Sequence, residues 1–84
     1  MARKGRSLTT RHVLRALHDV GFEVVAIRGS HAKLRRRLAD GATQTLTVPI
    51  HRDLAAGTVQ AIFRQARRFV AEADLRRAFF GAPR

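Results

Sequence analysis

The sequence predicts an α+β fold, in which a three-stranded antiparallel sheet carries helices on one face. Apolar residues recur at helical spacing near both ends of the chain, and segments with strand-like residues lie between them. Glycine-containing turns separate those segments, which favours antiparallel pairing. With 84 residues the chain can build one hydrophobic core only, so we expect a single folded domain.

The first helix is predicted from about Thr10 to about Val20. Its apolar residues are spaced so that they share one side of a helix: Val13, Ala16, Leu17 and Val20. Either Thr9 or Thr10 can accept hydrogen bonds from the free N–H groups of the first turn, and Gly21 is typical of the position that follows a helix. Residues 1–7 are basic with few apolar groups, and we expect them to form a disordered tail.

The next segments predict a β-hairpin. Phe22–Arg28 is rich in β-branched residues, and two residues separate it from His31–Leu38. Since the first of those two is Gly29, we expect a type II′ turn, which places Arg28 directly opposite His31. In this pairing half of the apolar side chains of the first strand face outward, where a partner protein can cover them. The expected orientations are Val25 and Ile27 inward, and Val24 and Ala26 outward.

The rest of the chain predicts a third strand and two more helices. After a turn at Asp40-Gly41, the segment Gln44–Pro49 alternates polar and apolar residues, and its proline ends the strand because it has no N–H to donate. A polar loop leads into a second helix with an apolar stripe of these residues: Val59, Ile62, Phe63, Ala66 and Val70. A short third helix is expected over Glu72–Phe80.

The second strand separates an apolar face from a cationic face. With Arg36 as the exception, its apolar side carries Ala32, Leu34 and Leu38. The other side carries a histidine and a row of cations: His31, Lys33, Arg35 and Arg37. Because the apolar side must meet the helices, His31 stands on the open face of the sheet, in line with cations about 6.6 Å apart. Thr45 and Thr47 of the third strand share that face, where hydroxyls suit phosphate or ribose.

The charge of the chain indicates a polyanionic partner. Lys and Arg number 17 against 6 Asp and Glu, which gives a net charge of +11. Nucleic acid, an anionic membrane surface and an acidic protein all fit this charge. The absence of cysteine excludes disulfides and thiolate metal sites. No apolar stretch reaches the roughly 18 residues of a spanning helix and no signal peptide is evident, so we expect a cytoplasmic protein with no membrane partner.

His31 is the candidate catalytic residue. RNA cleavage needs a group that takes a proton from the ribose 2′-hydroxyl or gives one to the leaving 5′-oxygen, and histidine titrates near neutral pH. It also needs fixed positive charge beside the phosphorane, which the neighbouring cations supply. His51, just past the third strand, is a second candidate. The alternative for His31 is a surface histidine at a hairpin, and the alternative for His51 is a structural or solvated histidine. Scattered carboxylates offer no two-metal nuclease site, so we expect no metal and no other cofactor.

Several short motifs, in their order and spacing, resemble the HicA (YcfA-like) toxins. They span about Leu8 to Ala66: Gly21-Phe22, Gly29-Ser30-His31, Val48-Pro49-Ile50-His51, Gly57-Thr58 and Ile62 to Gln65. The resemblance implies a double-stranded-RNA-binding-like α-β-β-β-α fold and a metal-independent mRNA interferase, with His31 as its catalytic residue. It also implies neutralisation by a cognate HicB-type antitoxin. Together with the charge pattern it gives the expected RNA-binding set: Arg28, Gly29, Ser30, Lys33, Arg35, Arg37 and His51.

The sequence departs from this family near its C-terminus. Such toxins usually end the second helix with Ala-Gly, whereas this chain reads Ala66-Arg67-Arg68-Phe69, so we expect that helix to run on. Ala55-Ala56 also replaces a common Lys-Pro pair. We therefore expect the tail over residues 1–7 to be followed by a toxin domain over residues 8–70 and a C-terminal helical extension over residues 71–84.

Two other functions fit the same residues. One is a non-catalytic module of the same fold that reads double-stranded RNA by shape. The other is an inactive toxin-like interaction protein, whose basic face holds an acidic partner. His31 distinguishes these alternatives from the ribonuclease, because only the ribonuclease depends on proton transfer by that side chain.

Overall fold

The structure is a computed structural model that describes residues 7–81. Its elements follow in the order β1 (Leu8–Thr9), α1 (Thr10–Asp19), β2 (Glu23–Arg28), β3 (His31–Arg37), β4 (Thr43–Pro49), β5 (Asp53–Leu54), α2 (Ala56–Ala66) and α3 (Glu72–Phe80). Strands β2, β3 and β4 form an antiparallel sheet with β3 in the centre, which confirms the predicted α+β fold. The tail expected over residues 1–7 lies, up to residue 6, outside the described residues. Among residues 7–81, no helix combines the length and the apolar character needed to cross a membrane.

The hydrophobic core lies between one face of the sheet and the helices. The sheet contributes alternate residues of β3 and β4: Ala32, Leu34, Leu46 and Val48. The helices contribute a larger set: Val13, Ala16, Leu17, Val59, Ile62, Ala66, Leu75 and Phe79. Residues that alternate with the buried ones on β3 and β4 are exposed or half-buried, so the second face of the sheet is open to solvent.

Local sequence explains where α1 begins and ends. The Thr9 side chain accepts a hydrogen bond from the backbone N–H of His12 (3.0 Å) and so caps the first turn. At the other end, the N–H groups of Gly21 and Phe22 donate to carbonyls of the last turn (2.9 and 3.0 Å). This pattern needs a left-handed residue after the helix, and Gly21 has a φ of +102°. The buried Phe22 then directs the chain into β2.

The sequence predicts Val25 inward and Val24 outward in β2, and the structure corrects this prediction. A register shift between Val24 and Ala26 makes Val25 the extra residue of a β-bulge. Val24 then lies opposite the buried Leu34, on the core side of the sheet. Ile27 keeps its predicted side but is 63% exposed, because the core forms over β3 and β4 rather than over this edge strand.

Helix α2 ends at Ala66, so the prediction that it runs on is wrong. Residues 67–70 form turns instead, and these bring Val70 into the core. The ring of Phe69 lies 6.3 Å from that of Phe22, measured between centroids. In this arrangement Val70 is buried and Phe69 is half-buried against the core.

Arg36 is the charged residue on the apolar side of β3, and its side chain bonds to β4 and to the segment after α2. Its half-buried side chain donates hydrogen bonds to Oε1 of Gln44 (3.3 Å) and to the backbone O of Phe69 (3.2 Å). The guanidinium carbon also lies 5.9 Å from the centre of the Phe22 ring, within the range of a cation–π contact. Arg36 therefore joins the sheet to the connection between α2 and α3. Leu38, predicted on the same face, follows the end of β3 and is half-buried.

Helix α3 matches its predicted range and completes the core. Leu75 and Phe79 are fully buried, and the Phe79 ring meets Phe63 of α2 edge to face at 5.4 Å. Nε2 of His12 in α1 lies 2.7 Å from the backbone O of Phe79 and donates to it. The last turn of α3 is thus held against α1 by both packing and a hydrogen bond.

The sequence does not predict β1 and β5, which are two-residue strands that pair with each other. Leu8 lies opposite Leu54, and Thr9 lies opposite Asp53. Strands this short have no periodicity to detect in a sequence. Their pairing ties the start of α1 to the loop that follows β4.

Candidate functional site

A tight turn between β2 and β3 holds His31. Gly29 has a φ of +55°, whereas Ser30, like every non-glycine residue that the structure describes, has no positive φ. This pair of signs fits the predicted type II′ turn and excludes type I′, in which both central residues have positive φ. Arg28 lies directly opposite His31, as predicted. A Cβ at Gly29 would meet no atom within 4 Å, so backbone conformation rather than space requires glycine here.

Strand β4 fixes the other side of His31. Pro49 lies opposite His31 in the register of β3 and β4. The next residue, Ile50, donates its N–H to the carbonyl O of Ser30 (2.6 Å), which ties the turn to the end of β4. Since β3 is the central strand, the backbone of His31 is paired on both sides while its side chain is exposed to solvent.

The backbone of His51 is held at the start of α1. The hydroxyl of Thr10 donates a hydrogen bond to the carbonyl O of His51 and accepts one from the N–H of His51 (3.1 Å). Thr10 is only 6% exposed, and its own N–H donates to the carbonyl O of Arg52 (3.4 Å). The exposed side chain of His51 follows Pro49 by two positions, so both candidate histidines lie at the same end of the sheet.

A row of cations continues from His31 along the open face of β3. Lys33 and Arg37 are exposed and Arg35 is half-buried, while Ala32 and Leu34 between them are buried, which confirms the predicted alternation. Each cation has a threonine of β4 directly opposite: Lys33 with Thr47, Arg35 with Thr45 and Arg37 with Thr43. This face therefore combines positive charge with hydroxyl groups, a set that suits phosphate and ribose oxygens.

Sequence reasoning missed two residues of this region. Thr10 is predicted only as a helix cap, because its contact with His51 joins positions 41 residues apart and leaves no local signal. Glu23 lies opposite Arg35 because the bulge in β2 shifts the register by one residue. Without the bulge Val24 would occupy that place, so the bulge puts a carboxylate on the cationic face.

The site offers proton transfer by histidine and fixed charge from lysine and arginine. Within residues 7–81, no group of three or more histidine, cysteine, aspartate or glutamate side chains is arranged to hold a metal ion. Lys33, Arg35 and Arg37 are cationic side chains that lie in line with His31. The arrangement can therefore bind a phosphate chain and place an imidazole beside it.

The chain matches one family of known proteins. The family described as the HicA toxin of bacterial toxin–antitoxin systems matches residues 10–67. That region runs from α1 to the residue after α2 and contains the turn, the cationic row and both candidate histidines, His31 and His51. No curated protein and no solved structure matches the chain. Because the family match covers well over half of the 84 residues, the chain belongs to the HicA toxins of bacterial toxin–antitoxin systems.

Proposed function

We propose that this toxin is a metal-independent endoribonuclease that cleaves mRNA, with His31 as its catalytic residue. The observation that carries the proposal is the position of His31, exposed on the open face of β3 at the end of a row of cations. An imidazole can take up and give up a proton, and adjacent cations stabilise the negative charge of a phosphorane. Membership of a toxin family supports an activity that harms the cell producing it.

In the proposed reaction, the 2′-hydroxyl of one nucleotide attacks the adjacent phosphorus. One group removes the hydroxyl proton as the O2′–P bond forms, and a second group gives a proton to the 5′-oxygen as the P–O5′ bond breaks. The products are a 2′,3′-cyclic phosphate and a 5′-hydroxyl end. His31 performs one of these proton transfers, and His51, whose backbone Thr10 holds at the same end of the sheet, performs the other.

In this proposal the open face of the sheet binds the RNA backbone. Its contacts are the turn, the cationic row and the loop after β4: Arg28, Gly29, Ser30, Lys33, Arg35, Arg37 and His51. Arg28 and Lys33 flank His31, one across the strand pair and one along β3, so they lie nearest the reacting phosphate. Positive charge at these positions makes binding depend on salt concentration rather than on base sequence.

The family implies an antitoxin partner, which we propose to be of the HicB type. The net charge of +11 favours an acidic partner surface, because opposite charges speed association and lower the repulsion at the interface. An mRNA substrate places the action of the toxin in the cytoplasm.

His31→Ala tests the catalytic role directly. At matched expression in bacteria, wild type should arrest growth and degrade mRNA, and the variant should do neither. Cleavage by the purified variant should fall by about 100-fold or more, since general acid–base catalysis contributes at least that much. RNA binding should persist, because the cationic row remains.

Three results would contradict this function. Equal growth arrest by both proteins would remove His31 from the chemistry. Binding of RNA by wild type without cleavage would favour a non-catalytic module that reads double-stranded RNA by shape. Binding of an acidic protein with neither RNA binding nor cleavage would favour an inactive interaction protein.

A further inference from the structure

Strand β2 presents an apolar edge to solvent. All six of its residues are exposed, and they include the large hydrophobic side chains that are exposed in the described part of the chain: Val24 at 44%, Val25 at 45% and Ile27 at 63%. Within residues 7–81, β2 pairs with β3 alone, so the N–H and C=O groups along its outer side have no strand partner. An edge of this kind is a template for another extended chain.

Strand β4, at the opposite edge of the sheet, contacts the helices. On β4, the backbone N–H of Thr47 donates to Oε1 of Gln65 in α2 (3.3 Å), and Leu46 and Val48 are buried beneath the helices. At the β4 edge a helix side chain thus bonds to the strand and its apolar side chains are buried, whereas the apolar side chains of β2 are exposed. Exposed strand edges and exposed apolar patches are typical of interaction sites, so this contrast indicates that the edge of β2 binds a partner.

Charge and backbone shape select the partner. A second copy would bring another +11 onto the +11 of the first, whereas an acidic chain is attracted. The bulge at Val25 interrupts a regular ladder, so a paired strand must match it, and this discourages indiscriminate pairing. We propose that the exposed edge of β2 docks an extended, acidic segment of the antitoxin, which adds a fourth strand to the sheet.

An antitoxin strand at the edge of β2 would lie close to His31 and the cationic row. Arg28 of β2 lies directly opposite His31, so a strand added outside β2 runs about 9.6 Å from the backbone of His31. An acidic side chain of that strand can pair with Arg28, and apolar ones can cover Val24 and Ile27. The antitoxin chain would then stand beside the cationic row and exclude RNA, a consequence that rests on the proposed ribonuclease function.

Two double variants with the same added charge test the docking site. Val25→Lys with Ile27→Lys places two lysines on the edge of β2, and Ala61→Lys with Ala73→Lys places two on exposed positions of α2 and α3. Affinity for the purified, full-length cognate antitoxin is measured by calorimetry. The edge variant should bind about 100-fold more weakly, as expected for central interface residues, and the helix variant should stay within about threefold of wild type.

Hydrogen exchange on the wild-type toxin provides a test that needs no variant. Backbone amides of residues 23–28 should exchange more slowly when the antitoxin is bound, because an added strand pairs with them. Equal affinities of the two double variants, or unchanged exchange at residues 23–28, would overturn the proposal. So would a toxin dimer that the edge variant alone dissociates, since a second copy would then occupy the edge.

A cleavage assay separates this proposal from the proposed function. Without antitoxin, the edge variant should cleave RNA as wild type does, and it should resist inhibition by the antitoxin. If wild type does not cleave RNA, the ribonuclease function fails, while the affinity and exchange results still decide the docking site.

Discussion

Thr10 is the residue through which the fold holds a candidate catalytic group. Its buried hydroxyl contacts both backbone polar groups of His51. We expect Thr10→Val to lower the free energy of unfolding by about 1–3 kcal/mol, because two backbone groups lose their partner while the side-chain volume stays similar. RNA cleavage should also fall at temperatures where both proteins are folded.

Thr10→Ser is the control for this prediction, because it keeps the hydroxyl. It should retain most of the stability measured by urea unfolding and most of the cleavage rate. A valine variant that cleaves RNA at the wild-type rate would show that the position of His51 does not matter for the reaction.

Arg36 and Arg37 are sequence neighbours with different tasks. Arg36 faces the core layer and donates to Phe69 O and Gln44, whereas Arg37 is exposed on the open face. We expect Arg36→Met to lower stability by about 1–2 kcal/mol while RNA affinity stays unchanged. Arg37→Met should change stability by less than about 0.5 kcal/mol and weaken RNA binding.

Urea unfolding and filter binding on the same preparations measure both effects. Each variant serves as the control for the other, because the two substitutions remove the same group from adjacent positions. Equal losses of stability in the two variants would contradict the assignment of these side chains to opposite faces of β3.

At the scale of elements, β3 is the strand that carries the charge of the site. Each phosphate contact to single-stranded RNA changes the slope of log binding constant against log salt concentration by about 0.7. If Lys33 and Arg35 each contact a phosphate, Lys33→Ala with Arg35→Ala should therefore reduce the magnitude of this slope by about 1.4. Arg15→Ala with Arg64→Ala removes the same charge from exposed positions of α1 and α2 and should leave the slope nearly unchanged. An unchanged slope in the β3 variant would place the RNA-binding surface elsewhere.

Strands β2 and β3 show which properties of an element the sequence encodes. In β3, the alternation of Ala32 and Leu34 with charged residues predicts both faces correctly, because side-chain direction in a regular strand depends only on position parity. In β2, the bulge at Val25 breaks that parity. Residues 24–27 are all apolar, so no polar residue in the sequence marks Val25 as the bulged position. For this reason the orientation of Val24 is predicted wrongly.

At the scale of the whole molecule, α3 belongs to the core although it lies outside the family match, which ends at residue 67. Leu75 and Phe79 are fully buried, and losing each such side chain costs about 2–5 kcal/mol. A domain of this size has a total stability of about 5–15 kcal/mol at most. We therefore expect a chain that ends after Ala71 to lose cooperative thermal unfolding, as followed by circular dichroism.

The matched control for this deletion changes α3 only on its exposed side. Arg76→Ala with Arg77→Ala should keep the cooperative transition, because both side chains are exposed and form ion pairs with acidic neighbours of the same helix. Arg76 also lies 5.7 Å from the centre of the Phe63 ring, and an exposed cation–π contact of this kind contributes only about 0.5–1 kcal/mol. A truncated chain that still unfolds cooperatively would show that residues 72–84 are a separable extension of a toxin domain over residues 8–70.

The sequence by itself determined the order of the elements of the central fold, the type of turn before His31 and the cationic face of β3. These features depend on helix capping, turn conformation and strand alternation. Each of these involves residues only a few positions apart, so the local sequence is enough to predict it. The sequence also carried the motifs of the HicA toxins in their order along the chain.

Only the tertiary structure decided the contacts that join distant parts of the chain. The bonds from Thr10 to His51, from Arg36 to Phe69 and from His12 to Phe79 span 41, 33 and 67 positions. The end of α2 at Ala66, the β1–β5 pair and the bare edge of β2 also follow from how the elements pack. No local pattern distinguishes the correct partner of a residue from the many others that packing could bring to it. For this reason the contact of Thr10 with His51, and the position of Pro49 opposite His31, emerge only from the folded chain.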